Sequence, residues 1–237
     1  MEFVKTVFVE HINRTETTKS FVFKPEKKLT FIAGQFLQVI FDEENLKNRK
    51  LNKFLSFSTA PCKDCFEITK RMSDSNFSKH LLNLKPGDKV LFKAPMGNCV
   101  FNIEQKQITF IVGGIGVTPV MSILDHIFTH NINQVDVAML YSNRSIDDIA
   151  FKTELDKWDK QNDNFKLTYC VDQEPVNDNK ILLGFIDDDK IIQCIPDYKE
   201  RTIFIYGPPV MVSAIKQCCL EIGCEPSKIK AENFTGY

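Results

Sequence analysis

An apolar strand that runs through a glycine-rich turn into a helix is the strongest constraint in this sequence. The segment is Ile108-Thr-Phe-Ile-Val-Gly-Gly-Ile-Gly-Val-Thr-Pro-Val-Met-Ser-Ile-Leu124. Gly114 and Gly116 allow the backbone to turn sharply and approach a ligand, and the free N–H groups of the following helix favour an anion. Thr118 is predicted to cap the helix and Pro119 to be its first residue. The turn therefore indicates a phosphate-binding site.

The turn departs from the dinucleotide fingerprint, which has a third glycine and an acidic residue about 20 residues further on. Pro119 occupies the place of the third glycine, and the next predicted strand is followed by Ser142-Asn-Arg144 instead of an acid. Glycine turns between a strand and a helix also occur in sheets that bind no ligand. The turn alone leaves both possibilities open.

Length and charge limit the class of protein. A chain of 237 residues is expected to form two domains. The net charge of −1 argues against general binding to nucleic acid or to a membrane surface. No apolar run approaches the ~18 residues of a membrane span, and the start Met-Glu-Phe-Val-Lys lacks the pattern of a signal peptide. The sequence predicts a cytoplasmic protein without a membrane span.

The eight cysteines are expected to be reduced thiols, because no signal sequence is seen. Cys62-Lys-Asp-Cys65 has the CxxC spacing, but no second CxxC is present to complete a zinc or iron-sulfur site. Cys218, Cys219 and Cys224 also lack the spacing of a cluster motif. No metal site is predicted, and whether Cys62 and Cys65 form a redox pair stays open.

Two patterns of secondary structure divide the chain. Residues 1–103 show short alternating strands separated by turns, which predicts an antiparallel β-barrel. Residues 104–237 alternate strands with helices, which predicts an α/β domain with a parallel sheet. The clearest predicted strands are 21–23, 35–41, 54–59, 66–69 and 89–92 in the first part, and 135–141, 165–171 and 202–206 in the second.

Three strand ends of the second part carry glycine or polar residues. They are Gly113 to Thr118, Ser142 to Arg144, and Gly207-Pro208-Pro209. Ligands on parallel sheets bind at the carboxyl ends of the strands, so these segments are expected at one edge. Their convergence favours a nucleotide site more strongly than the glycine turn alone.

The order of motifs resembles the ferredoxin-NADP reductase family. A barrel is followed by Gly-Gly-Ile-Gly-Val-Thr-Pro, Tyr-Ser-Asn-Arg, Tyr-Gly-Pro-Pro-Val-Met and Glu-Asn-Phe-Thr-Gly-Tyr, and the match spans nearly the whole chain. The resemblance implies a barrel that binds FAD, a second domain that binds NADPH or NADH, and hydride transfer from the nicotinamide to the flavin.

The family's flavin motif, Arg-x-Tyr-Ser, can be placed in two ways on Lys53-Phe-Leu-Ser-Phe-Ser-Thr-Ala-Pro61. One alignment matches Lys53, Leu55 and Ser56 to the motif, and the other is shifted by two residues to Leu55, Phe57 and Ser58. Both present the same faces of a strand, because side chains alternate with period two. The first is preferred because it keeps a cation, although lysine lacks the fork of arginine and leucine does not stack.

The resemblance also implies the remaining site residues. A hydrogen bond from Ser56 to the flavin, Tyr206 at the position before Gly-Pro, and Tyr237, with Phe234, over the flavin face are the predicted catalytic features. In the barrel, the predicted FAD-binding residues are Lys53, Phe54, Leu55, Ser56, Ile68, Thr69, Lys70, Ser75, Asn76, Phe77 and Ser78. In the second domain, the predicted cofactor-binding residues are Gly114, Gly116, Thr118, Pro119, Ser142, Asn143, Arg144, Gly207, Pro208 and Met211.

The sequence therefore predicts a flavoprotein oxidoreductase that passes electrons from NAD(P)H to a separate acceptor. Arg144 favours NADPH because an arginine suits a 2′-phosphate. Ferredoxin or flavodoxin is the first expected acceptor, and free flavin or a ferric chelate the next. Two alternatives stay open: an electron-transfer subunit of a larger dehydrogenase complex, and a non-catalytic nucleotide-binding protein that has lost its flavin.

Overall fold

A computed structural model of the protein describes residues 1–172 and 180–234. These residues form two compact units. The first contains residues 1–101 and 118–129, and the second contains residues 102–117, 130–172 and 180–234. Because residues 118–129 group with the first unit, the boundary predicted between residues 103 and 104 stays a prediction. Tyr237 lies outside the described residues.

The first unit contains a six-stranded antiparallel sheet with the strand order β4-β3-β6-β1-β2-β5. Its two edge strands meet through a bridge between Phe57 and Ile68 and a hydrogen bond of 2.8 Å from Ser58 N to Glu67 O. The sheet thus closes on itself, which confirms the predicted antiparallel barrel. The strands are β1 (Glu2–Asn13), β2 (Thr18–Pro25), β3 (Phe36–Ile40), β4 (Asn52–Ser56), β5 (Phe66–Arg71) and β6 (Lys89–Met96).

Phenylalanine rings fill the barrel. Phe23 is in edge contact with Phe92 at a centroid distance of 4.8 Å, and Phe66 with Phe92 at 5.1 Å. Full burial of such a side chain contributes about 1.5–3 kcal/mol. Helix α1 (Asn76–Asn83) packs against the same core through Phe77 and Leu81. The barrel strands and α1 therefore share one hydrophobic core.

The second unit contains a parallel sheet with the strand order β10-β9-β8-β7-β11-β12. The order reverses at β7, whose neighbours are β8 on one side and β11 on the other, and ligands bind at such a switch point. The parallel α/β architecture is confirmed. The strands are β7 (Gln107–Gly113), β8 (Asp136–Asn143), β9 (Phe165–Val171), β10 (Ile181–Leu183), β11 (Thr202–Gly207) and β12 (Ile229–Asn233); the remaining helices of the chain are α2 (Val117–Thr129), α3 (Lys152–Gln161), α4 (Asp188–Cys194) and α5 (Pro209–Glu221).

The start of α2 differs from the prediction. A single 3-10 turn, Gly114–Gly116, leads directly into α2 at Val117, so Thr118 is not the cap and Pro119 is not the first helical residue. The 3-10 turn supplies the bonds that a cap would have made, because Val117 N donates to Gly114 O and Ile115 O.

In residues 1–172 and 180–234, no helix has the length and hydrophobicity to cross a membrane.

Candidate functional site

Two lysine side chains lie close together where β4 begins and β5 ends. Lys70 is 8% exposed, and its ammonium group donates to Arg71 O at 2.6 Å. Burial lowers the pKa of Lys70, and the positive charge of Lys53 lowers it further. Neither ammonium group has an ion-pair partner among the described residues. The pair therefore makes a local positive charge that an anion would neutralise.

Serine hydroxyls surround the beginning of α1, shortly after Lys70 along the chain. Ser75 caps the helix, and its Oγ accepts a hydrogen bond from Ser78 N at 3.3 Å. Ser73 Oγ donates to Ser75 Oγ at 3.0 Å. Ser73 and Ser75 are exposed at this capped helix start, whereas Ser78 is fully buried, so an anion such as a phosphate would meet the first two hydroxyls. The predicted residues Ser75, Asn76 and Ser78 are thus placed at the helix start.

Two of the predicted flavin-binding residues have side chains inside the barrel. Phe77 and Ile68 are fully buried in the barrel core. Each can meet a ligand only through its backbone. Backbone N–H groups at a helix start are nevertheless the groups that hold phosphates, so Phe77 can contribute without its ring.

The residues of the two alignments of the flavin motif differ in accessibility at one position. Phe57 is fully buried and stacked on Phe31 at a centroid distance of 3.8 Å, and Ser58 is also buried. Lys53 and Leu55 keep part of their surface exposed, although Leu55 also packs against the core. Ser56, at 4% exposed, is as buried as Ser58, at 5%, so accessibility separates the two alignments only at Phe57, and the preference for Lys53, Leu55 and Ser56 stays a prediction.

The predicted residue Phe54 lies on the opposite face of β4 from Lys53 and Leu55. Its ring is 57% exposed and is in edge contact with Phe36 at 6.0 Å. An exposed aromatic pair of this kind offers a surface on which a planar ring can stack.

The sequence did not reveal a buried polar network on β5 and its neighbours. Arg14 Nη2 lies 2.9 Å from Glu67 Oε2, and Ser58 Oγ donates to Glu67 Oε1 at 3.0 Å. Thr69 Oγ1 lies 2.7 Å from Ser20 Oγ and also donates to Glu67. The hydroxyl of the predicted residue Thr69 is therefore already engaged, which leaves its backbone for a ligand. The network holds β5 in place beneath the lysine pair.

The glycines of the turn after β7 differ in whether there is space for a side chain beside them. A Cβ at Gly116 would lie 2.6 Å from Tyr206 O, and a Cβ at Gly113 would overlap Met211 Sδ. These two glycines make room for the protein itself. Gly114 has φ of 51° and open space where a Cβ would stand. Of the predicted turn residues, Gly114 is the one that faces the open side.

Thr118 and Pro119 were predicted to contact the nicotinamide cofactor. Both are buried in the first turn of α2. Their side chains are enclosed by the protein, because the preceding 3-10 turn extends the helix by one turn toward the glycines.

The end of β8 carries an unsatisfied polar group. Asn143 is 7% exposed, and its Nδ2 has no hydrogen-bond partner among the described residues. A buried donor of this kind is costly unless something accepts its hydrogen bond. Ser142 is half-buried and Arg144 is exposed. The three predicted residues thus combine the unsatisfied amide of Asn143 with the exposed guanidinium group of Arg144.

The end of β11 is a packed region. Tyr206 is fully buried, with its ring beside Phe204 at 6.2 Å and in edge contact with Phe234 at 6.4 Å. Met211 Sδ would lie 3.1 Å from a Cβ at Gly207, so this methionine fills the space beside the glycines. Gly207 O accepts from Phe234 N at 2.9 Å. Pro208 is the N-cap residue of α5 and stands immediately before its first helical residue, Pro209.

One acid at this edge was missed by the sequence reasoning. Glu232 pairs with Tyr206 across β12 and β11, and burial raises the pKa of its carboxyl group. Glu232 belongs to the motif Glu-Asn-Phe, whose pattern alone does not indicate a buried acid. Burial is the one cause of this shift, so it marks Glu232 as a partly buried acid and does not assign it a role in proton transfer. Among the described residues, no three His, Cys, Asp or Glu side chains are arranged to hold a metal ion.

Comparisons with known proteins agree with this architecture. Residues 110–217 match the family described as the oxidoreductase NAD-binding domain. The chain is 32% identical over 172 residues to NADH-cytochrome b5 reductase 1 of Candida glabrata, covering 70% of this chain and 60% of the relative. It thus spans less than two thirds of that relative.

Solved structures show the same fold. The FAD/NAD-binding domain of nitric oxide dioxygenase from Vibrio cholerae has a TM-score of 0.83 at 21% identity and covers 98% of both chains. A ferredoxin NADP+ reductase from Neisseria gonorrhoeae has a TM-score of 0.80 at 18% identity, covering 98% of this chain and 99% of that one. The two-part fold expected from the sequence is therefore confirmed.

Proposed function

Because residues 110–217 are an oxidoreductase NAD-binding domain within a chain of the ferredoxin-NADP reductase fold, we propose that this protein is a flavoprotein oxidoreductase. The resemblance predicted from the order of motifs is confirmed. The proposed reaction takes a hydride from NAD(P)H to FAD and passes the electrons to a separate acceptor. When bound, FAD supplies the redox chemistry, and the protein supplies binding, orientation and electrostatics.

The observation that carries the proposal is the lysine pair at the beginning of β4 and the end of β5. Burial lowers the pKa of Lys70, and the positive charge of Lys53 lowers it further. A pyrophosphate would bring two negative charges to this place, and Ser75 and Ser78 lie at the helix start that would hold it. The donor set therefore fits the pyrophosphate of FAD. Lys53 would act as a point charge, without the two parallel bonds of an arginine.

The flavin ring would be positioned by β4 and the backbone of β5. Leu55 offers aliphatic contact, and Ser56, which is buried, offers a hydroxyl. Phe54 lies on the opposite face of β4 from Leu55 and would not contact the same ring. The absence of an aromatic residue at position 55 predicts a weaker hold on the flavin than a stacked tyrosine would give. Ser56 would orient the ring by a hydrogen bond.

In the second unit, Gly114 and Asn143 fit a dinucleotide. Gly114 leaves its side open to a pyrophosphate, and the unsatisfied Nδ2 of Asn143 can donate to a ribose or phosphate oxygen. The relative from Candida glabrata is named for NADH. We propose NADH as the donor, in place of the NADPH that Arg144 favoured, because Arg144 is exposed and is not held toward a 2′-phosphate by any described contact.

For the acceptor we propose a small haem protein of the cytochrome b5 type. The proposal is supported by the name of the relative from Candida glabrata. Ferredoxin, flavodoxin and small oxidants, which the sequence suggested, are the competing outcomes. The predicted cytoplasmic location also stays a prediction.

The first test is the visible absorption spectrum of the purified protein under anaerobic conditions, before and after NADH or NADPH is added. A flavin band that bleaches with NADH supports the proposal, and the ratio of the two bleaching rates gives the preference. Protein that is colourless and takes up no added FAD would contradict the proposal and favour the non-catalytic alternative, which the departures at Leu55 and Tyr206 support.

The second test compares acceptors. NADH oxidation is measured with cytochrome b5, with ferredoxin and with ferricyanide as the electron acceptor. Faster turnover with cytochrome b5 than with ferredoxin supports the proposed partner. If ferricyanide is reduced but neither cytochrome b5 nor ferredoxin is, the protein is still an oxidoreductase, and cytochrome b5 is rejected as its acceptor.

A further inference from the structure

The thiols of this protein fall into two very different settings. Cys62 is exposed and Cys65 is half-buried, and both lie in the loop that joins β4 to β5. Cys219 and Cys224 are buried in the hydrophobic core of the second unit. All eight cysteines are free in the structure. The exposed pair is not used by the proposed oxidoreductase site.

The loop that carries the exposed pair has fixed ends. On the β4 side, Ser58 N donates to Glu67 O at 2.8 Å, which holds the two strands in register. On the other side of the backbone, Ala60 N donates to Asp125 Oδ2 at 2.8 Å and Ser122 Oγ donates to Thr59 O at 2.7 Å. The chain must therefore reverse within a few residues, between Ala60 and the start of β5.

The reversal takes place at the two cysteines. The backbone turns or bends at every residue of 61–65. Lys63 stands between the cysteines, and its ammonium group lies 2.6 Å from Asp125 Oδ2, which anchors the middle of the turn. Cys62 and Cys65 are three residues apart within this reversal, and a disulfide between them requires Cα atoms within about 7 Å. An anchored turn keeps both thiols on a short segment with little freedom to separate.

We propose that Cys62 and Cys65 form a reversible dithiol-disulfide pair that exchanges with low-molecular-weight disulfides of the glutathione disulfide type. The exposed Cys62 thiolate attacks one sulfur of the small disulfide, forms a mixed disulfide and releases one small thiolate. Cys65 then attacks Cys62 Sγ, forms the intrachain disulfide and releases the second small thiolate. Two electrons pass from the protein to the small disulfide, and two protons leave the protein thiols for the small thiolates.

The buried pair provides an internal control. Cys224 N donates to Cys219 O at 2.9 Å at the end of α5, so these two cysteines are also neighbours. Burial raises the pKa of Cys219 to about 12, which suppresses its thiolate. Proximity alone therefore does not make a reactive pair. Cys219 and Cys224 should stay reduced while Cys62 and Cys65 oxidise.

The test uses the full chain, reduced, desalted without oxygen and then incubated with glutathione disulfide. Free thiols are blocked by alkylation, and tryptic peptides are identified by mass spectrometry. Trypsin cleaves after Lys63, between the two cysteines, so the disulfide joins the separate peptides 54–63 and 64–70. The expected result is this linked species, which disappears after treatment with dithiothreitol, while Cys219 and Cys224 are recovered as alkylated thiols.

Single substitutions separate the two steps. In Cys65→Ser the mixed disulfide on Cys62 should accumulate by roughly tenfold or more, because the second, intramolecular step has a high effective concentration of thiol. Cys99→Ser is the matched control and should leave the linked species unchanged. Far-UV circular dichroism checks that each variant is folded.

Two results would overturn the proposal. One is the recovery of peptides 54–63 and 64–70 only as separate glutathione adducts or alkylated thiols. The other is the linkage of Cys62 or Cys65 to Cys99 or to a second chain. The reaction needs neither flavin nor NADH, so its failure would leave the proposed oxidoreductase function unaffected, and the reverse also holds.

Discussion

The candidate anion sites of the two units are built from different groups. In the first unit, Lys53 and Lys70 place two positive side chains near each other where β4 begins and β5 ends, and the serine-capped start of α1 follows β5 in the chain. In the second, the turn Gly114–Gly116 contains only backbone groups and one isoleucine. The first site depends on charge, whereas the second depends on the shape of the chain.

The difference has an energetic meaning. A buried lysine beside another cation makes the ligand-free protein less stable, and an anion offsets that cost. The glycine turn has no charged side chain and therefore carries no such electrostatic cost. Met211 and the Tyr206 carbonyl occupy the space beside Gly113 and Gly116, so the turn is part of the packing of the fold. Substitutions in the lysine site should therefore change ligand affinity, and substitutions in the glycine turn should change the stability of the fold.

The largest effect is expected for Gly116→Ala. Its new Cβ would stand 2.6 Å from Tyr206 O and 3.0 Å from Gly207 N, and backbone atoms cannot move aside as a flexible side chain can. We expect a loss of about 3 kcal/mol in the free energy of unfolding, the upper part of the range for overpacking. Urea unfolding measures it.

Gly114→Ala is the matched control, because a Cβ there meets no atom within 4 Å and only the φ of 51° is unfavourable. Its expected cost is about 1 kcal/mol. Equal losses for the two variants would contradict the distinction between packed and open glycines.

The second effect concerns the charged site. Lys53→Ala should weaken FAD binding about tenfold or more, since a hydrogen bond to a charged group contributes about 1.5–3 kcal/mol. Lys53→Arg should bind FAD at least as tightly as the natural protein, because arginine can hold a phosphate with two bonds. Both affinities are measured by fluorescence titration of flavin-free protein, and the weakening should be smaller at high salt.

Unchanged affinity in Lys53→Ala at low salt would show that the lysine pair does not bind the cofactor. Lys50→Ala, an exposed lysine outside β4, is the control for loss of one positive charge.

The third effect separates helix capping from anion binding. Ser75→Asp keeps an oxygen that can accept from Ser78 N, so the free energy of unfolding should stay close to that of the natural protein. Its negative charge should nevertheless repel a pyrophosphate and weaken FAD binding. Ser75→Ala should instead lose about 1 kcal/mol of stability with the cap. Tight FAD binding by Ser75→Asp would place the phosphate elsewhere.

Sequence reasoning predicted the elements with strong patterns. The alternation in Gln35 to Phe41 and the apolar run before Gly113 both became strands. It did not identify β1, although this is the longest strand, because its residues Phe3, Val7 and Val9 place apolar groups on the outer face and obscure the alternation. The short edge strands β10 and β12 were also missed, because edge strands bury too little to show a pattern.

The site was harder to predict than the fold, because it depends on contacts between distant residues. Lys53 and Lys70 belong to different strands, and only closure of the barrel brings them together. The network of Arg14, Ser20 and Glu67 likewise requires β2 and β5 in register and the turn that follows β1. The packing roles of Gly113 and Gly116 could not be read from their spacing, since Met211 and Tyr206 come from a later strand and helix.

The smallest effect is expected from Lys70→Met in flavin-free protein, and it tests the energetic side of the comparison. Burial and the charge of Lys53 lower the pKa of Lys70 below its ordinary value of 10.5. At a pH below the lowered pKa, Lys70 is charged in both the folded and unfolded states, and the folded state bears the full cost. Between the lowered pKa and 10.5 the unfolded chain holds more protons, so the stability of the natural protein should rise with pH.

Methionine keeps the apolar stem of the lysine and removes its charge. Lys70→Met should therefore be slightly more stable than the natural protein at neutral pH and should lack the rise at alkaline pH, as followed by urea unfolding across that range. The same variant should bind FAD less tightly. If it were less stable without flavin, the buried ammonium group would be stabilising the barrel through its bond to the Arg71 carbonyl, and the first site would then be as structural as the glycine turn.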